Sequence, residues 1–163
     1  MIEHAFSPLI LKNKTLLPIV QGGMGIGVSA HRLAGTVAGL GGVGTIASVD
    51  LRHLHPDLVE ESLKFTDEAE YDRLNLIALD REVKAALKLA NGNGMVSVNV
   101  MKAVASHADY VRQACESGAQ VVTMGAGLPL DLPEMVANFP DVALLPILSE
   151  ARGIAIVIKR WMK

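Results

Sequence analysis

Residues Gln21 to Gly27 read QGGMGIG, four glycines and a methionine at the point where a short apolar run, Leu17–Val20, gives way to a helical pattern. Glycines at such a turn admit either a phosphate, cradled by main-chain N–H groups at a helix start, or a flat ring that no Cβ obstructs. The phosphate case has a fingerprint, G-x-G-x-x-G/A, and Gly25, Gly27 and Ala30 satisfy it. Asp50, beyond the next apolar run, stands where an acid would meet a ribose in a dinucleotide-binding fold. Yet Gly42, Gly44 and Ala47 satisfy the same pattern inside a strand, where it can cradle nothing. With 15 glycines in the chain, the pattern alone is cheap.

Other side chains carry chemistry of their own. Asn99 interrupts the apolar run Val96–Val100, and a buried amide without a partner costs about 1 to 3 kcal/mol, so it calls for a ligand or an internal hydrogen bond. Lys102 follows that run and suits either an anion or solvent. Cys115 lies in YVRQACESGA with Tyr110, Val111 and Ala114 on one helical face, which predicts a packed, inert thiol. Five histidines, at positions 4, 31, 53, 55 and 107, show neither metal-ligand spacing nor a relay partner in sequence. All are read as packing or surface residues, with His55 kept as a candidate lid contact and no metal site expected.

Five continuous apolar runs must position these groups: Leu17–Val20, Val43–Ile46, Val96–Val100, Val121–Met124 and Val142–Ile147. Continuity predicts strands buried on both faces. Between and after them lie helical patterns at Ser29–Leu40, Arg81–Ala90, His107–Ser117, Pro133–Asn138 and Ala151–Met162, an alternation that requires a parallel sheet with right-handed crossovers. Ser29 is the expected cap of the first helix, stopped by Gly39, Gly41 and Gly42. Asp131 is the expected cap before Pro133. The second unit is about twice as long as its neighbours because of a polar insertion at about residues 49–73, at the ligand-binding end of such sheets, where it would serve as a lid or a solvated excursion.

The totals narrow the function. The 163 residues suit one domain, half of them are hydrophobic, and only 4% are aromatic. A net charge of −2 with scattered Lys and Arg argues against nucleic acid, and no apolar run is long enough to span a membrane. One cysteine and no signal-like start point to a cytoplasmic protein acting on a small molecule.

Four stretches together carry a resemblance. PIVQGGMGIG followed by LAGTVAGLGGVGTIAS, then VSVNVM at 96–101, VVTMGAGLP at 121–129 and LLPILSEARG at 144–153 resemble, in order and spacing, the nitronate monooxygenase (2-nitropropane dioxygenase-like) family. That resemblance implies an FMN-dependent (β/α)8 barrel oxidising alkyl nitronates with oxygen, and it extends to flavin-dependent enoyl-ACP reductases. It implies that Gly22, Gly23, Met24 and Asn99 bind the flavin ring and that Gly125 and Gly127 form a wall of the substrate pocket. About five βα units are present, so the expected fold is a partial TIM barrel, with 1–163 its amino-terminal portion.

The family's catalytic His lies in a later Gly-Gly-His loop, and no Gly-Gly-His occurs here, so the catalytic residue is unknown. Phosphate-binding loops of such barrels also come late. ARGIAIVIKRWMK runs helical to the last residue with Ile154, Val157, Ile158 and Trp161 on one face. This predicts a piece of a longer flavoenzyme, incomplete and inactive alone. A different class of function is a non-catalytic half-barrel that dimerises through its open edge.

Overall fold

The computed structural model describes residues 6–162. A hairpin opens it: β1 (Leu9–Leu11) pairs antiparallel with β2 (Lys14–Leu16), and Lys12 in the turn has φ 50°. The sequence reading left this segment without structure. Leu16 packs with Val43, Met95, Val121 and Ala143, the opening residues of four strands, so the hairpin closes the amino-terminal end of the sheet. Lys14 Nζ donates to the Gly92 and Gly94 carbonyls at 2.8 and 2.7 Å, pinning it there.

Four parallel strands follow in the order β3 (Val43–Ala47), β4 (Met95–Met101), β5 (Val121–Gly125), β6 (Ala143–Pro146). The predicted first strand runs beside β3: Gln21 N–H donates to Val43 O and Val43 N–H to Ile19 O, both at 2.9 Å, around a single parallel bridge between Val20 and Val43. It goes no further because the Gln21 side chain takes the next ladder position, accepting from Thr45 N–H at 2.9 Å and donating to Thr45 O at 3.2 Å. These five strand positions and their helices make about five βα units of a (β/α)8 barrel, as expected.

The apolar runs are continuous because both faces are covered. Ile46, Val96, Val98, Val100, Val122 and Met124 face the helices, and Val43, Met95, Val121 and Ala143 face the interior above Leu16. Further along the interior face, Ser97 and Thr123 hydrogen-bond at 2.9 Å, the first pair of polar side chains on the way to the carboxyl-terminal mouth.

Helix α1 (His31–Gly39) packs on β3 so closely that a Cβ on Gly44 would lie 1.8 Å from the Ala34 carbonyl oxygen. A 3-10 turn (Leu51–Leu54) and α2 (Pro56–Ser62) lead to α3 (Glu68–Ala90), a 23-residue helix. Much of the polar stretch is therefore helical, and α3 begins well before Arg81. Asp67 starts it by accepting from Ala69 N–H at 3.1 Å, and Leu74, Ala78, Leu79, Val83, Ala86 and Ala90 give it one buried stripe. Its first two turns are polar because only that stripe meets the core. Helices α4 (His107–Glu116), α5 (Leu132–Met135) and α6 (Ala151–Trp161) complete the outer layer.

One predicted cap is corrected, and the other keeps its place without its bond. The N-cap of α1 is Ala30, without a side-chain bond, and Ser29 is fully buried and bound elsewhere. Asp131 holds the N-cap position of α5 but its carboxylate turns to Lys102.

Candidate functional site

The carboxyl ends of the parallel strands bring the glycine turn, Asn99 and the Gly125–Gly127 loop to one face. The turn from Met24 to Ser29 is closed by the buried serine: Ser29 Oγ accepts from Met24 N–H at 2.7 Å and donates to Met24 O at 3.1 Å, and Ser29 N–H reaches the same carbonyl at 3.0 Å. Gly22 has open space where a side chain would stand. Met24 is exposed. A Cβ on Gly23 would come within 2.7 Å of both Cβ and Nδ2 of Asn99. Asn99 itself is half-buried in β4, between Ala47 of β3 and Thr123 of β5, and its amide makes no hydrogen bond within the described residues. Main chain and an unspent amide thus meet at a place accessible to a planar ligand.

The insertion packs onto the back of this turn. Val49 lies near Gly25, and Leu54 fills the space beside Gly27, whose φ is 73°. Asp50, the residue a ribose would need, sits at φ 49° and is ion-paired with Arg52. It lines a cavity of about 270 Å³ together with Val49, Val100, Tyr71 and Tyr110. Arg52 stacks on Tyr71 with its guanidinium 4.8 Å from the ring centroid. Tyr110 donates to Asp72 at 3.0 Å, and burial first, then the Asp72 charge, raises its phenol well above the ordinary range. With Asp50 spent on Arg52, the dinucleotide geometry does not form.

The two loop glycines differ. Gly125 ends β5 under Ile147, whose Cβ would stand 3.0 Å from an added Cβ. Gly127, at φ 141°, borders a cleft of about 590 Å³ shared with Ile147, Glu150, Arg152 and Gly153. Lys102 lies across Gly127 and, of an anion and solvent, meets an anion, one supplied by the chain itself. Its Nζ donates to both Asp131 carboxylate oxygens at 2.7 Å and to His107 Nε2 at 2.9 Å. His107 Nδ1 in turn faces Val104 O at 2.7 Å, so the proton sits on Nδ1. The Lys102 ammonium holds the Asp131 carboxyl below its ordinary value.

Of the remaining histidines, His4 lies outside the described residues. His31 and His55 both address Glu82, a buried carboxylate on α3 that the sequence analysis does not single out. His55 Nε2 faces Glu82 Oε1 at 3.2 Å. The signal for Glu82 was available in its position on the apolar stripe of α3, beside Ala78, Leu79 and Val83. Cys115 is buried, and desolvation pushes its thiol up to about 11, in keeping with an inert residue.

A parallel sheet with helices outside, and glycines at its carboxyl-terminal mouth, define part of a (β/α)8 barrel running from the first strand to the fifth. The family model for nitronate monooxygenase matches residues 7–163, and the chain belongs to that family of flavin-dependent oxidoreductases. Among solved structures, FabK from Thermotoga maritima is similar in fold, with a TM-score of 0.56 at 19% identity over 88% of this chain. The chain spans 37% of that structure's length. No curated protein matches it. Among the described residues no helix is long and apolar enough to cross a membrane.

Proposed function

We propose that this chain forms the flavin-ring wall of an FMN-dependent enzyme that oxidises alkyl nitronates with oxygen as the acceptor. The observation that carries the reading is Asn99: its amide is unspent, lies against Gly23, and stands at the mouth beside a Gly22 with open space around it. Gly22, Gly23, Met24 and Asn99 fit a flat heterocycle, since main-chain groups can approach it without a Cβ and an amide offers both donor and acceptor. FMN when bound supplies reversible electron transfer between substrate and oxygen. The residues of this chain hold and orient the ring, and Gly127 with the cleft beside it walls the substrate; Gly125 supports that wall from beneath Ile147. No proton-transfer step is assigned, because the Gly-Gly-His of the resemblance does not occur in the sequence.

With a ring wall and no assigned base among the described residues, the 163-residue chain by itself is expected to consume no oxygen with a nitronate and to bind added FMN weakly. Fluorescence titration with FMN tests the ring wall, with Asn99→Ala expected to weaken binding about tenfold, or about 1.4 kcal/mol. Equal affinity in the variant would remove the ring-wall reading. A stoichiometric flavin spectrum in the purified chain would overturn the expected weak binding.

A second expectation concerns assembly. Ile147, Ile154 and Ile158 are exposed along the β6 and α6 edge, a surface suited to self-association. Light scattering that finds only monomer at high concentration would discard it. A cytoplasmic location remains part of the proposal.

A further inference from the structure

Helix α1 starts directly behind the glycine turn, yet its own sequence does little to start it. Ala30 at the N-cap has no side-chain oxygen, the first turn contains no acid, and Ser29 is committed to Met24. The missing acceptor comes from another helix. Glu82 of α3, 2% exposed, accepts from His31 main-chain N–H at 2.7 Å through Oε2, and the same oxygen lies 2.7 Å from His31 Nδ1. The second oxygen, Oε1, faces His55 Nε2 at 3.2 Å from the N-cap of α2, outside hydrogen-bond alignment. Helices α1 and α3 leave no slack around this contact, since a Cβ on Gly35 would come within 2.9 Å of the Ala86 carbonyl oxygen.

We propose that Glu82 is a positioning residue: its carboxylate sets the start of α1, and through Ala30 and Ser29 it fixes the turn whose main chain faces the mouth. The same carboxylate faces His55 at the N-cap of α2, so α3 lies against both the start of α1 and the insertion. A negative group at a helix N-terminus is favourable both to the unpaired N–H groups and to the macrodipole. Here that group is delivered by tertiary structure, and it adds to a segment whose other hydrogen bonds among the described residues are those of Ser29 with Met24 and that of Ser29 O with Ala47 N–H at 3.1 Å. The consequence for flavin affinity rests on the ring-wall reading above.

The test compares Glu82→Ala and Glu82→Gln by amide hydrogen exchange and by FMN titration. In Glu82→Ala, exchange at Met24, Ser29 and His31 is expected to rise at least tenfold while Val98 and Val122 in the central strands stay within threefold. Glu82→Gln, which keeps an acceptor for His31 N–H, is expected to restore the three amides to within threefold of the parent. Unchanged exchange at the three amides, a uniform rise that includes Val98 and Val122, or no rescue by Gln would each overturn the proposal. If Glu82→Ala does not fold, Glu82→Asp, which withdraws the carboxylate by one methylene, is read by the same criteria. Local exchange that behaves as expected while FMN binding is equal in all variants would uphold the positioning role and sink the ring-wall reading instead.

Discussion

Two segments of this chain carry the same pattern, Gly25-x-Gly27-x-x-Ala30 and Gly42-x-Gly44-x-x-Ala47, and use it oppositely. In the second, Gly44 is a strand residue with helix α1 pressed against it, and the missing side chain makes room for the Ala34 backbone. In the first, Gly27 needs its positive φ and Gly25 faces the insertion, while the adjoining Gly22 and Gly23 face the mouth and Asn99. Glycine spacing reports that backbone must approach something closely. It does not report whether that something is a helix, a side chain or a ligand.

Alanine at each kind of glycine separates these uses. The largest effect is expected for Gly44→Ala, where the added Cβ meets main chain that cannot turn aside: a loss of about 3 kcal/mol or more, read from urea unfolding, or no folded protein. A Gly44→Ala protein of parental stability would show that α1 is not seated as described. Gly23→Ala comes next, because its neighbour is the Asn99 side chain. It is expected to cost about 1 to 2 kcal/mol and to displace the amide, so that FMN affinity falls with it.

Gly127 stands between the two cases, held by its φ of 141° and by the Lys102 stem. The Lys102–Asp131 pair that braces this stem is half exposed on the Asp131 side and contributes at most about 1 kcal/mol. The folded carboxyl ionises below its ordinary 3.8, so the folded state binds fewer protons than the unfolded one through this range. Its stabilisation is complete above 3.8 and is lost as pH falls through the lowered value. Asp131→Asn should therefore lower the urea midpoint near neutral pH and converge on the parent in strong acid. A gap that persists in strong acid would exclude the ion pair as its source.

The smallest change in stability is expected at Gly22. With nothing within 4 Å of an added Cβ, Gly22→Ala should lie within about 0.5 kcal/mol of the parent while still weakening FMN binding, since only a ligand would meet the new methyl group. Parental FMN affinity in that variant would place the ring away from Gly22.

The parallel strands and most helices were readable because burial on two faces leaves continuous apolar runs, and a helix buried on one face leaves a stripe. The hairpin at 9–16 was not, since two three-residue strands carry no period long enough to see. The polar stretch hid the start of α3 because its first turn, Glu68–Tyr71, holds no buried residue, although Asp67 marks the helix start. At the proposed site, Gly22, Gly23, Met24 and Asn99 were grouped by the family resemblance, whereas Gln21 completing the β3 ladder and Lys102 bridging Asp131 to His107 had no signal. Their partners lie 24 to 29 residues away for the ladder and the ion pair, and polar residue types alone do not name a partner.

Local sequence by itself determined the alternating α/β order, the family and the segments that reach the mouth, because periodicity, turn chemistry and motif order are properties of neighbouring residues. Tertiary structure alone decided who caps α1, what the glycines admit, and where Asp50 spends its charge. Those outcomes depend on which backbone or carboxylate arrives from elsewhere in the chain: Glu82 reaches His31 across 51 positions, and Asn99 and Gly23 meet only once the sheet has formed.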